Sequence, residues 1–169
     1  MGECYVGECH ERHALELSSP IGQLQLVAKG GYLVELNWEG QHREISPISP
    51  NSPQVLATAA SELERYFTGA PADFTVPLTP EGTDFQIQVW TELQHIPWGS
   101  TCSYREIAER IGKPNGSRAV GTAIGRNPLP LLIPCHRVIG SNGSLTGFSG
   151  GLEIKKRLLG WESRPAELL

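Results

Sequence analysis

A cysteine beside a histidine can make a nucleophile, because the thiolate is the reactive form of sulfur and a nearby base or positive charge raises its share at neutral pH. Residues Ile133-Pro134-Cys135-His136-Arg137-Val138 supply both kinds of group: His136 adjoins Cys135, and Arg137 follows. Pro134 fixes φ and lacks an N–H, so the segment reads as a rigid, non-helical turn presenting the thiol in one pose. Adjacency in sequence is not contact in space, and many buried cysteines are inert core fillers. The meaning of the pair depends on the elements that carry it.

Upstream, Ser103-x-x-Glu106 is a capping-box signature opening a helix with Tyr104, Ile107, Ala108 and Ile111 on its apolar stripe. Gly112-Lys113-Pro114-Asn115-Gly116 is a turn, and Ser117 starts the next helix, Arg118-Ala119-Val120-Gly121-Thr122-Ala123-Ile124. Two short helices around a Gly-rich turn, the second small-sided and led by arginine, form a helix-turn-helix pattern; an ordinary αα-hairpin reads the same way. Before them, Thr83-Asp84 caps a helix with Phe85, Val89 and Leu93 at i, i+4 and i+8, which Pro97-Trp98-Gly99 breaks. Beyond Cys135 come a Gly/Ser-rich hairpin at 140–144, the run Gly147-Phe148-Ser149-Gly150-Gly151, and a final helix holding Leu152, Lys155, Leu158 and Leu159, with Glu162 at its end.

The first half differs in character. Leu15, Leu17, Leu24, Leu26 and Tyr32-Leu33-Val34 alternate as strands do, with turn signals at Ser19-Pro20-Ile21-Gly22 and Gly30-Gly31. Ser52-Pro53 offers an N-cap followed by proline at the first helical position, and Leu56, Ala59, Ala60, Leu63, Tyr66 and Phe67 follow at helical spacing up to Gly69. Residues 69–84, rich in Gly, Pro and Thr, read as a linker. The fold class expected is α+β in two parts: a small antiparallel sheet with a helix in residues 1–80, and a mostly helical domain in residues 81–169 carrying the helix-turn-helix and the Cys-His turn.

The 169 residues suit one large or two small domains, and 39% hydrophobic content suffices for a core. No run approaches the ~20 apolar residues of a membrane span, and the N-terminus shows no secretory signal. Cys4, Cys9, Cys102 and Cys135 form no regular framework, so reduced thiols and a cytoplasmic setting (nuclear in a eukaryote) are expected. Cys4, Cys9, His10 and His13 are zinc-type ligands, but their spacing fits no standard pattern, and no metal is expected. Net charge is −4, unevenly spread: residues 1–80 carry four basic and ten acidic side chains, and residues 81–169 ten and eight. Arg105, Arg110, Lys113, Arg118, Arg126 and Arg137 fall close together against Glu106 and Glu109. Such a patch permits DNA contact; a solvated helix face gives the same pattern.

In combination, these motifs resemble the O6-alkylguanine-DNA alkyltransferases. Ile133-Pro-Cys-His-Arg-Val138 carries the resemblance, with Arg118-Ala-Val-Gly121, Asn127-Pro128 and Thr146-Gly-Phe-Ser-Gly-Gly151 at matching spacings. It covers residues 83–169 strongly and 14–68 more loosely, through Ser19-Pro-Ile-Gly22 and Leu63-x-x-Tyr66-Phe67. The resemblance implies direct-reversal repair of duplex DNA containing alkylated guanine, by a monomer without cofactor. The base is flipped out and its alkyl group passes to Cys135 in an irreversible single turnover. O4-alkylthymine is a second substrate to consider.

The same resemblance implies the roles of individual residues. His136 is the base, acting through a bound water, and Glu162 orients it. Tyr104 donates to the base ring, and Asn127 braces the site. Arg118 fills the gap left by the flipped base, a wedge role, while Ala119, Gly121 and Ala123 let the recognition helix approach the minor groove, with Ser103 and Ser117 also at the DNA. Pro130, Val138, Phe148, Ser149 and Gly150 line the substrate pocket. Phe148 stands where family members commonly have tyrosine, so a hydroxyl is lost there.

Other classes remain open on the residues alone. A lesion-binding module of alkyltransferase-like type would lack the cysteine, whereas Cys135 is present. A helix-turn-helix regulator would not need the Cys, His and Glu. A cysteine hydrolase would require an oxyanion hole, for which no separate signature is visible, and an ester or peptide assay separates it.

Overall fold

Alternating side chains and two tight turns build the first unit of this computed structural model, which describes residues 11–45, 53–71 and 73–163. β1 (Arg12–Ser19), β2 (Gly22–Lys29) and β3 (Tyr32–Trp38) form an antiparallel sheet in that order. Lys29 pairs with Tyr32 across Gly30 and Gly31, whose φ values of 58° and 82° suit the left-handed turn that matches strand twist. Leu24, Leu26, Leu33 and Leu36 are buried with Leu56, Ala59, Leu63 and Tyr66 of α1 (Gln54–Phe67). On a smaller second cluster, Ala14, Val27 and Val34 pack with Ile45.

Two details differ from the sequence expectation. Pro53 occupies the N-cap position of α1 instead of its first turn and makes no side-chain cap; Ser52 lies outside the described residues, as do Cys4, Cys9 and His10. The stretch expected as a linker is tied to the first unit. Leu33 donates its N–H to Pro77 O at 2.9 Å, and Thr79 donates back to Leu33 O at 3.0 Å. Buried Glu62 accepts the Thr75 N–H at 3.0 Å and the Val76 N–H at 3.3 Å. These bonds absorb backbone groups that a free linker would leave to water. The first compact unit ends at Pro80 and the second begins at Glu81, with Gly69–Pro71 grouped with the second.

The second unit is helical. α2 (Asp84–Leu93) and α3 (Tyr104–Arg110) each open on a complete capping box, Thr83 with Gln86 and Ser103 with Glu106. α4 (Ser117–Gly125) packs on both, and Trp90 Nε1 of α2 donates to Ala123 O at 2.9 Å. α5 (Leu152–Glu162) closes the unit. A short parallel pair that periodicity could not reveal, β4 (Cys102–Ser103) with β5 (Val138–Ile139), joins the start of α3 to the residues just past Cys135. The segment 140–144 is a tight turn without a strand ladder, closed by the Gly140 N–H on Ser144 O at 2.8 Å. No helix among the described residues is long and apolar enough to cross a membrane, and these residues hold no group of three potential metal ligands.

Candidate active site

Cys135, His136 and Arg137 form one turn of 3-10 helix, set by the loop before it. Asn127 donates from Nδ2 to Ile133 O at 2.9 Å and accepts the Leu129 N–H at 3.0 Å. Ile133 N–H reaches Leu129 O at 2.8 Å, and Cys135 N–H reaches Ile133 O at 2.7 Å. Leu131, buried between them, holds φ at 73°, a left-handed conformation that branched side chains rarely adopt. A densely bonded, locally strained loop therefore fixes the thiol.

α5 supplies the other wall through one buried stripe, Lys155, Leu158 and Glu162. Glu162 Oε1 lies 2.7 Å from His136 Nε2. Arg137 grips the same carboxylate from Nε at 2.7 Å and from a terminal nitrogen at 3.0 Å, a two-pronged geometry suited to guanidinium. Its other nitrogen donates to Ile96 O at 2.7 Å, and its carbon sits 5.9 Å from the Trp98 ring centroid. His136 is fully buried, and its Nδ1 has no hydrogen-bond partner among the described residues. The Phe148 ring meets the imidazole edge-on, with centroids 6.5 Å apart.

Burial sets the protonation states. It pushes the Cys135 thiol up to about 11, although the Asn127 hydrogen bond and the Lys155 charge pull the other way. It also lowers His136, outweighing the carboxylate beside it. Burial alone would raise Glu162, but hydrogen bonds from His136 and Arg137 and their charges hold it at about 2. Arg137 stays charged whatever His136 does, so Glu162 is ionised and a neutral imidazole donates Nε2–H to it. That tautomer leaves Nδ1 as the basic lone pair.

Tyr104, at the start of α3, donates its phenol to Thr146 O at 3.2 Å and accepts from Thr146 Oγ1 at 3.3 Å. The same carbonyl accepts Lys155 Nζ at 2.9 Å, and Lys155 also donates to Val138 O at 2.6 Å. Lys155 is fully buried, its pKa lowered by that burial and supported by the charge of Cys135. Sequence reading placed this lysine only as a helix position. The available signal was a cation on the apolar stripe of α5, at the i, i+3, i+7 positions shared with Leu158 and Glu162.

Arg137 is corrected as well. It was expected to lend charge to Cys135 and to a basic patch, yet it is buried and spent on Glu162; the lysine bearing on the thiol is Lys155. Arg105 and Arg110 are partly neutralised by Glu109 and Glu92, at 2.9 and 3.4 Å. Arg118 and Ala119 lie exposed near the start of α4, with Ser117 half-buried before them. Gly121 faces the Tyr104 ring, where an added Cβ would sit 3.6 Å from it. Ala123 is 3% exposed, turned inward with Val120 and Ile124, so it does not share the outer face with Ala119. The Ser103 hydroxyl accepts the Glu106 N–H at 3.1 Å as the cap of α3. Around Cys135, Pro130 and Val138 are buried, Phe148 and Gly150 half-buried, and Ser149 exposed.

Residues 84–164 match the family description "6-O-methylguanine DNA methyltransferase, DNA binding domain", and residues 16–80 match "6-O-methylguanine DNA methyltransferase, ribonuclease-like domain". The chain belongs to this family. A methylated-DNA–protein-cysteine methyltransferase of Mycolicibacterium paratuberculosis is 45% identical, covering 90% of this chain and 94% of its own length. Another, of Methanosarcina barkeri, is 48% identical over 85% of this chain and 92% of its own. The crystal structure of Mycobacterium tuberculosis OGT in complex with DNA superposes with a TM-score of 0.82 at 43% identity, covering 92% of this chain and 97% of that one. The family's small antiparallel sheet and helical second half are those described above.

Proposed function

We propose that this chain repairs DNA by direct reversal, transferring the alkyl group from O6 of alkylated guanine in duplex DNA to its own Cys135, once per molecule. Residues 81–169 bind DNA and carry out the transfer; residues 1–80 are a structural domain. The observation that carries the reading is the buried His136–Glu162 pair on the turn that begins at Cys135, with Glu162 locked by Arg137. The relatives' names describe the same chemistry.

The step is an in-line displacement. As the sulfur–carbon bond forms, the carbon–O6 bond breaks and its electron pair leaves with the guanine. The thiol proton passes to His136 Nδ1, which makes no direct bond to the sulfur, so a bridging water fits the relay. Glu162 stabilises the resulting imidazolium. The guanine anion takes a proton in return, and the Tyr104 phenol is the donor proposed for the base ring. A thioether is not reversed by hydrolysis or reduction, so the molecule is consumed. Arg118 acts from the exposed start of α4 as the wedge that replaces the extruded base. The protein works as a monomer and requires no cofactor.

Intact-protein mass spectrometry after incubation with a duplex carrying one O6-methylguanine tests this. One methyl per molecule, mapped to Cys135 and absent in Cys135→Ala, is expected. Tight lesion-selective binding without a mass change would instead make the chain a recognition module with a silent cysteine. The same duplex with O4-methylthymine measures the second substrate.

A further inference from the structure

We infer that the turn at residues 96–99, just after α2, is a positioning element for the His136–Glu162 pair: the Ile96 carbonyl and the Trp98 ring hold the arginine that grips the carboxylate, and Gly99 lets the turn lie against the end of α5. The inference rests on the alkyl-transfer reading. In the sequence, Pro97-Trp98-Gly99 reads only as the stop of a helix. The turn is itself fixed, with Ile96 N–H on Leu93 O and Ser100 N–H on Pro97 O, both at 3.1 Å. Arg137 donates to Ile96 O at 2.7 Å, and its guanidinium carbon stands 5.9 Å from the Trp98 ring centroid. A guanidinium beside an aromatic ring is attracted by the ring quadrupole, more strongly where water is excluded. Gly99 has φ 71°, and a Cβ there would lie 3.1 Å from the Glu162 carbonyl oxygen, closer than an ordinary contact. The atom in the way is backbone of the last residue of α5, which cannot swing aside as a side-chain tip can.

The turn therefore bounds Glu162 twice. Through Arg137 it fixes the carboxylate, and through Gly99 it fixes the backbone that bears it. A buried guanidinium nitrogen without a partner is costly, and Ile96 O takes the one nitrogen that Glu162 does not. A side chain at position 99 would push the end of α5 away by a few tenths of an ångström, lengthening the 2.7 Å contact between Glu162 and His136. The groups that bear on the His136 charge are Glu162 and Lys155 from α5 and Arg137 and Cys135 from its own turn. The 96–99 turn brings no titratable group. Of the charges, only Glu162 favours the imidazolium, so a loosened Glu162 leaves His136 a weaker base.

The test uses Gly99→Ala and Trp98→Leu, with Trp98→Phe as the conservative variant and Gly40→Ala as a control for backbone strain. Gly40 lies in the first unit with φ 82°, and a Cβ there meets nothing within 4 Å. Each variant is assayed for single-turnover methyl transfer against pH, at a temperature where melting curves show it folded, and for duplex affinity. Gly99→Ala and Trp98→Leu should transfer about tenfold more slowly near neutrality. Their acid limb should move down by about half a pH unit, a threefold loss of proton affinity at His136. Duplex affinity should stay within about threefold. Trp98→Phe should recover transfer to within about threefold of the parent, and Gly40→Ala should match it. A merely structural turn would lower the melting temperature and leave the pH profile of the folded protein unmoved, and that result overturns the inference. If Gly99→Ala does not fold, the two Trp98 variants decide: equal rates for leucine and phenylalanine overturn it. Failure of the parent itself to transfer a methyl group would refute the alkyl-transfer reading instead. His136 titration by NMR would then still test the turn, a lower pKa in Gly99→Ala supporting it and an unchanged one overturning it.

Discussion

Nε2 of His136 lies 2.7 Å from Oε1 of Glu162, with the imidazole fully buried and the carboxylate side chain 1% exposed. A buried pair of this kind is unfavourable to assemble unless its remaining lone pairs are satisfied. Arg137 satisfies them, on both oxygens. The neutral imidazole thus keeps one tautomer, with its free lone pair on Nδ1. Orientation of the proposed base is built into folding itself, because the turn that bears Cys135 also bears the arginine that locks the carboxylate.

Replacing Glu162 by Gln should therefore damage both stability and chemistry. The buried guanidinium loses its counter-charge, a loss of about 3 kcal/mol by comparison with other broken buried pairs. Methyl transfer should fall by about 10²-fold or more, the usual contribution of a general base and its orienting group. Both pKa depressions act in one direction with pH. Glu162 is held at about 2, so its contribution is present above the ordinary glutamate range and is lost as pH falls toward that value. His136 is also lowered, so folding is weakened as pH falls through the ordinary histidine range. Melting temperature should drop progressively below about pH 6.5 in the parent, and the Gln variant should lose the lower, carboxylate part of that fall. A flat profile in the parent would contradict the assignment.

The resting thiol should be quiet. With its pKa pushed to about 11 by burial, Cys135 holds on the order of 10⁻⁴ of its population as thiolate at pH 7. Without DNA, iodoacetamide should label it slowly at neutral pH and roughly tenfold faster per pH unit, up to the midpoint. Peptide-level mass spectrometry separates it from Cys102, the other buried thiol among the described residues. Fast labelling at pH 7 would show that the free protein already activates its sulfur.

Local signals in the sequence carried most of the architecture. The cap at Thr83 and the capping box at Ser103 formed as their residue types dictate, and Gly30-Gly31 made the turn its composition allows. Non-local features were invisible. The β4–β5 pair has two residues per strand, too short for a period, and is made by residues 36 positions apart, Cys102 with Val138. Arg137 was misjudged for a related reason. From sequence it is a charge next to a thiol, and only the fold brings Glu162 and the Ile96 carbonyl to it. Lys155 was overlooked because a lysine between leucines reads as an exposed position or one with its head in solvent, and its carbonyl partners come from two distant segments.

Leu131 offers a test of the strained loop. Truncating this buried side chain should cost about 3 kcal/mol, typical of a leucine core position. Glycine and alanine then differ only in backbone. Alanine elsewhere is the more stable by about 0.5–1 kcal/mol, but at φ 73° a Cβ is penalised by about 1 kcal/mol. Leu131→Gly should therefore be at least as stable as Leu131→Ala in urea denaturation. The usual order, with alanine clearly ahead, would mean that the loop relaxes out of the left-handed conformation.

Gly121→Ala separates folding from DNA binding. The new methyl would sit 3.6 Å from the Tyr104 ring, an ordinary contact, and alanine is favoured over glycine inside a helix by about 1 kcal/mol. The variant should thus melt at the same temperature as the parent or higher. If α4 enters the minor groove as proposed, the methyl sits where backbone and DNA come close, and duplex affinity should fall by about tenfold, roughly 1.4 kcal/mol. Arg118→Ala, on the exposed start of the same helix, should leave stability within about 0.5 kcal/mol while slowing methyl transfer from duplex more than from single strands, where no stack resists extrusion of the base. Calorimetry gives the stability of both variants, and fluorescence anisotropy with quenched-flow transfer gives the rest. A Gly121→Ala variant that binds duplex as the parent does would move the interface off this face of α4.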